Sequence, residues 1–112
     1  MLFRSHLGTL HLLALPGEVF PESSIGREAF EKDWGGEWGT FSYPAMTGWR
    51  EKLPAGHLLM EIGLANNEIG YIVPKADFQP NGHPNYYCED HAIGEDTETI
   101  LRGKVEELLG AR

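Results

Sequence analysis

Three short stretches hold side chains able to do chemistry. Pro16-Gly17-Glu18 puts a carboxylate directly after an apolar run. In α/β sheets functional groups gather at the carboxyl ends of strands, where a carboxylate can ligate a metal or act as a base. By local sequence alone, a turn with a solvated glutamate is the better description. Gly63-Leu64-Ala65-Asn66-Asn67 leads to Tyr71. Its small residues allow close packing and Asn66 can bond to backbone, while Tyr71, in ordinary Tyr-Ile-Val strand composition, reads as core. The third stretch holds His83, Cys88, Glu89, Asp90 and His91. Cys88 and His91 have C-x-x-H spacing, and with His83 they make a conceivable zinc site. No second pair accompanies them, so a polar loop with an unoxidised thiol is favoured.

Several chemistries are absent. Gly35-Gly36-Glu37-Trp38-Gly39 follows no strand and lacks the downstream Lys-Ser/Thr of a phosphate loop. No G-x-S-x-G elbow occurs. Nine Lys and Arg face seventeen Asp and Glu, a net charge of −8. Nucleic-acid backbones are bound by neutralising phosphates, so this balance argues against nucleic acid and against anionic membrane surfaces. No apolar run nears the roughly 20 residues of a membrane span. Cys88 is the one cysteine, which excludes an intrachain disulfide. Leu10–Leu15 is followed by Pro16-Gly17-Glu18 rather than a small-residue cleavage site, so no signal peptide is read and the chain as it stands is expected to be cytoplasmic.

The elements that must position these residues are short. The 112 residues suit one domain. A buried strand is expected at about 8–15, flanked by Gly8 and stopped by Pro16-Gly17. Ser24 is placed to cap a helix at about 25–34, with Ile25, Ala29 and Phe30 on one side and Gly35-Gly36 at its end. Residues 34–56 hold all three tryptophans and fit no period; an aromatic-rich insertion, loop or hairpin, is expected. Residues 57–64 alternate as a strand, Asn66-Asn67 makes a turn, and Tyr71-Ile72-Val73 stops at Pro74. A helix at about 97–109 follows Asp96, with Leu101, Val105 and Leu108 as its stripe and Glu98 paired to Arg102. The class is α/β, a partial layer structure, because two strands alone are marginal.

Taken together, the segments resemble the end of the catalytic domain of the neutral/alkaline non-lysosomal ceramidases. Leu10 to Glu22 is similar to a family strand that runs into Pro-Gly/Ala-Glu-Phe/Val and then a Gly-Arg helix, echoed by Gly26-Arg27. Gly63 to Tyr71 resembles Gly-x-Ala/Ser-Asn-x-x-x-x-Tyr. Pro74 to Phe78 resembles the Thr/Pro-x-x-x-Tyr/Phe that follows. Tyr87-Cys88-Glu89, Gly94 and Thr97 look like the Tyr-x-Glu…Gly-Pro-x-Thr that opens the last helix.

The resemblance implies a role for two residues. The family's first-motif Glu and second-motif Tyr bind the catalytic zinc, which by position gives Glu18 and Tyr71. The family enzyme cleaves the N-acyl amide of ceramide. Its two zinc histidines and its serine motif have no counterpart here, so the chain is expected to be an incomplete, carboxyl-terminal part of such a domain, inactive alone. Its partner would be the missing N-terminal catalytic portion, or a second copy by self-association, and its substrate an N-acyl amide lipid. Catalytic zinc takes about three protein ligands and a water, and Glu18 and Tyr71 supply two. A reading of another class is a non-catalytic interaction domain that meets its partner through Trp34–Trp49, since tryptophan and tyrosine dominate interface energetics.

Overall fold

The apolar run Leu10–Leu15 supplies the middle strand of a three-stranded sheet. In the computed structural model, which describes residues 2–65 and 68–110, β1 (Phe3–Leu7) turns back through Gly8-Thr9 into β2 (Leu10–Ala14), with Leu7 opposite Leu10. Gly8 has φ 60°, the left-handed conformation that a tight turn requires and glycine adopts freely. On its other side β2 pairs in parallel with β6 (Leu58–Ile62), Leu10 opposite Leu58 and Ala14 opposite Ile62. The coarse α/β class holds. β1 adds an antiparallel strand that the polar Arg4-Ser5-His6 conceals in the sequence. The expected Asn66-Asn67 turn lies outside the described residues.

Strand periodicity sorts this sheet into two unlike faces. His11, Leu13, Leu59 and Glu61 point one way. There Leu13, Leu15 and Leu59 meet Trp49 and the last helix, α3 (Thr97–Gly110), which contributes Val105 and Leu109. α3 begins where Asp96 suggests: the Ile100 N–H donates to the Asp96 carbonyl. Its apolar stripe runs through Leu101, Val105 and Leu109, one position beyond the expected Leu108, whose carbonyl accepts from Arg4. The opposite face carries Leu58, Met60 and Ile62, all exposed, with Met60 at 53%. β6 is also an edge strand. The principal extents are 52, 29 and 17 Å, and the smallest leaves room for one sheet and one covering layer.

The helix expected at about 25–34 is absent, and the reason is local. α1 (Pro21–Ile25) is a single turn, with Pro21 where its missing N–H costs nothing. It stops at Gly26, which has φ 77° and whose Cβ, if present, would fall 2.6 Å from the Met46 carbonyl oxygen. Ser24 lies inside this turn rather than before it, buried, with its hydroxyl donated to Glu61. Arg27 then bridges Met46, and the chain continues as a hairpin, β4 (Phe30–Asp33) against β5 (Thr40–Tyr43). The aromatic insertion is therefore a hairpin followed by a 3₁₀ turn at Trp49–Lys52.

Glu61 fastens that insertion to the sheet. The Trp49 indole N–H donates to its Oε1 at 2.6 Å, and Arg50 donates to its Oε2 at 2.9 Å and to the Ser24 hydroxyl at 2.9 Å. A parallel arrangement ties α3 to α1: Glu98, buried on α3, accepts from Ser23 at 2.6 Å and from Arg102 at 2.9 Å. The buried Glu98 and half-buried Glu61 carboxylates are tolerated here because N–H and O–H donors in range satisfy them.

The two faces of β6 make a direct test. Leu59→Ala, on the covered face, should lower stability by about 2–5 kcal/mol. Met60→Lys, one position on, should change it by no more than about 0.5 kcal/mol and raise solubility. Urea melts of both variants check this; equal losses would mean the faces are misassigned.

Candidate functional site

Parallel strands end at the same edge of a sheet, so β2 and β6 deliver their following segments side by side. β3 (Glu18–Val19) and β7 (Tyr71–Ile72) continue in parallel, and Glu18 is the direct partner of Tyr71. The structure thus brings together the two residues that the resemblance singles out. The Glu18 N–H donates to the Gly70 carbonyl at 3.0 Å, and the Tyr71 N–H to the His91 carbonyl at 3.2 Å.

A glycine precedes each of the two, for a steric reason. A Cβ on Gly17 would sit 2.5 Å from the Gly70 carbonyl oxygen and 3.0 Å from Ile72 Cδ1. Gly70 has φ 83°, and a Cβ there would run into the His91 carbonyl. The backbones approach closely because both positions lack a side chain.

The Glu18 side chain is exposed and Tyr71 half-exposed. The charge of Glu18 raises the Tyr71 phenol above its ordinary value, with partial burial and a hydrogen bond to Glu18 adding to the effect. The phenol is therefore held protonated. A cation between the two oxygens would cancel the charge that holds that proton, and phenolate could then form. Tyr87, which opens the single-turn helix α2 (Tyr87–Asp90), packs edge-on to Tyr71 with centroids 6.0 Å apart and lies tilted against His91 at 4.4 Å.

As to metal, the two oxygens fit part of a zinc shell and leave the rest to other donors. Among the described residues, no three His, Cys, Asp or Glu side chains form a group able to hold a metal ion. His83, Cys88 and His91 go separate ways. His83 is buried among Trp34, Trp38 and Phe41, with ring centroids at 4.7, 4.8 and 5.3 Å, and its Nδ1 accepts from the Asn85 N–H at 3.0 Å. His91 lies on Tyr87. Burial, then the charges of Glu89 and Glu18, push the Cys88 thiol up, so it stays protonated. The tryptophans also turn inward: Trp49 is fully buried, and Trp34 and Trp38 close on His83.

Beside this site lies a pair that the sequence alone does not disclose. Arg27 meets Asp77 through both guanidinium nitrogens and donates to the Pro44 carbonyl at 3.0 Å. The guanidinium lies 5.5 Å from the Phe30 centroid and 5.7 Å from that of Tyr43. Both residues fall within segments of the resemblance, but they are 50 positions apart, and nothing local marks them as partners.

No protein-family model, curated protein or solved structure matches this chain.

Two variants probe the site. Tyr71 keeps its proton longer in the folded chain than in the unfolded one. Its contribution to stability is therefore present at neutral pH and lost as pH rises through the folded-state value. In an ultraviolet alkaline titration, Tyr71→Phe should remove a tyrosine step raised above the ordinary phenol value, and Glu18→Gln should lower that step. An unchanged titration in both would separate the side chains. Gly70→Ala should be destabilising by about 1–3 kcal/mol from backbone strain alone, measured by thermal melting; a neutral result would contradict the close approach.

Proposed function

We propose that this chain is the carboxyl-terminal portion of a neutral-ceramidase-like zinc amidohydrolase, acting on N-acyl amides, and that it supplies Glu18 and Tyr71 to a zinc site completed by another segment. The observation that carries this reading is the register: two residues named by separate motifs are direct partners at the common edge of parallel strands. The open face of the sheet, with Leu58, Met60 and Ile62 exposed, adds support, since apolar surface of this kind is usually covered.

Within such a site Glu18 would hold the zinc through its carboxylate and Tyr71 through its phenolate. Zinc, when bound, lowers the pKa of a coordinated water and so supplies a nucleophile for amide hydrolysis. An interaction domain built on Trp34–Trp49 draws less from the structure, because those rings pack within the chain.

The isolated chain should bind zinc weakly and leave N-acyl sphingoid bases intact. Adding a polypeptide that bears the family's zinc histidines and serine should raise zinc affinity by at least tenfold and produce amide hydrolysis. Glu18→Gln and Tyr71→Phe should each abolish both gains. Calorimetry and a fatty-acid release assay are the measurements. Tight stoichiometric zinc in the isolated chain, lost in a Cys88→Ser/His91→Ala double variant and kept in Glu18→Gln, would overturn the assignment.

A further inference from the structure

A cavity of about 260 Å³ opens between α1, the β4–β5 hairpin and the segment 77–89. Phe20, Phe30, Trp34 and Tyr43 give it aromatic walls, and Glu22 and Glu89 give it carboxylates. Glu89 is 6% exposed. Its Oε1 accepts the Gln79 N–H at 3.3 Å, while its Oε2 is buried without a hydrogen-bond partner among the described residues. The Oε2 of Glu22 is buried and unpartnered in the same way. A carboxylate oxygen shut away from water calls for a donor, and both glutamates belong to the lining of one cavity.

The charges around the cavity leave one place for a cation. Glu22, Asp77 and Glu89 are acidic, and Arg27 and Lys32 are basic. Arg27 is spent on Asp77, held on both nitrogens. The Lys32 ammonium sits over the Trp34 ring, 4.0 Å from its centroid. One net negative charge remains, carried by the two glutamates. A divalent metal would exceed it, and among the described residues no three His, Cys, Asp or Glu side chains form a group able to hold a metal ion. A primary ammonium matches the charge, donates to two acceptors at once, and gains from aromatic faces. The volume lies below that of drug-sized sites, which suits a ligand of few heavy atoms.

We infer that this cavity binds a small organic ammonium ion, its N–H groups donating to Glu22 Oε2 and Glu89 Oε2 and its apolar body lying among Phe20, Phe30 and Tyr43. The site uses neither Glu18 nor Tyr71, so it stands apart from the zinc reading.

Benzylammonium and its neutral counterpart benzyl alcohol are the probes, titrated into the metal-free chain and followed by tryptophan fluorescence and calorimetry. Benzylammonium should bind saturably and quench or shift Trp34 emission, with benzyl alcohol at least tenfold weaker. Glu89→Gln should cost at least tenfold in benzylammonium affinity. Glu22→Gln is the second variant, with circular dichroism checking that each remains folded. Equal binding of the two probes, no saturable binding of either, or unchanged affinity in a folded Glu→Gln variant would overturn the inference. So would magnesium or calcium binding that benzylammonium fails to displace.

Discussion

The parallel pairing of β2 with β6 is the constraint on which the rest of the chain depends. It sets Leu13 and Leu59 on the covered face, where α3 and Trp49 close the core. It also fixes direction: both strands run to the same edge, so the segments after Leu15 and Ile62 leave together. Glu18 and Tyr71 meet because of that common exit and because Gly17 lets its backbone pass Gly70 without a Cβ between them, while Gly70 does the same against His91. An antiparallel arrangement of the same two strands would have sent the segments to opposite edges, however well the local motifs were kept.

Polar side chains join the buried Trp49 in holding the long excursion between these strands in place. Glu61 reaches Trp49, Arg50 and Ser24, and Glu98 reaches Ser23 and Arg102. Adjacent serines on α1 therefore answer two carboxylates on different elements. Such networks are demanding, because losing one member strands a buried donor or acceptor at about 1–3 kcal/mol.

The parts of this fold legible in the sequence are those written in local patterns. The run Leu10–Leu15 with its Pro16-Gly17 stop, the alternation over 57–64 and the helix after Asp96 all appear, because each depends on composition and period within one segment. The helix at 25–34 misleads for the same reason. Ile25, Ala29 and Phe30 have helical spacing, but Gly26 is pressed against Met46 and Gly48, and that crowding comes from residues twenty positions away. β1 escapes notice because Arg4, Ser5 and His6 dilute its alternation. In the site, the glycine before each of Glu18 and Tyr71 is visible, yet their register is not. The Arg27–Asp77 pair and the two buried oxygens of Glu22 and Glu89 have no local signature at all, since burial is a property of the whole fold.

The order in which this chain is made adds a problem of timing. Partners in the β2–β6 ladder lie about fifty residues apart, an interval of several seconds at synthesis rates of about 5–20 residues per second. Through that wait the apolar Leu10–Leu15 would be a sticky, half-made edge. The hairpin with β1 needs only the Gly8-Thr9 reversal and closes on a microsecond scale once both strands are free to meet. β1 is thus the first partner that β2 can meet, in a hairpin that stays marginal until β6 adds the third strand.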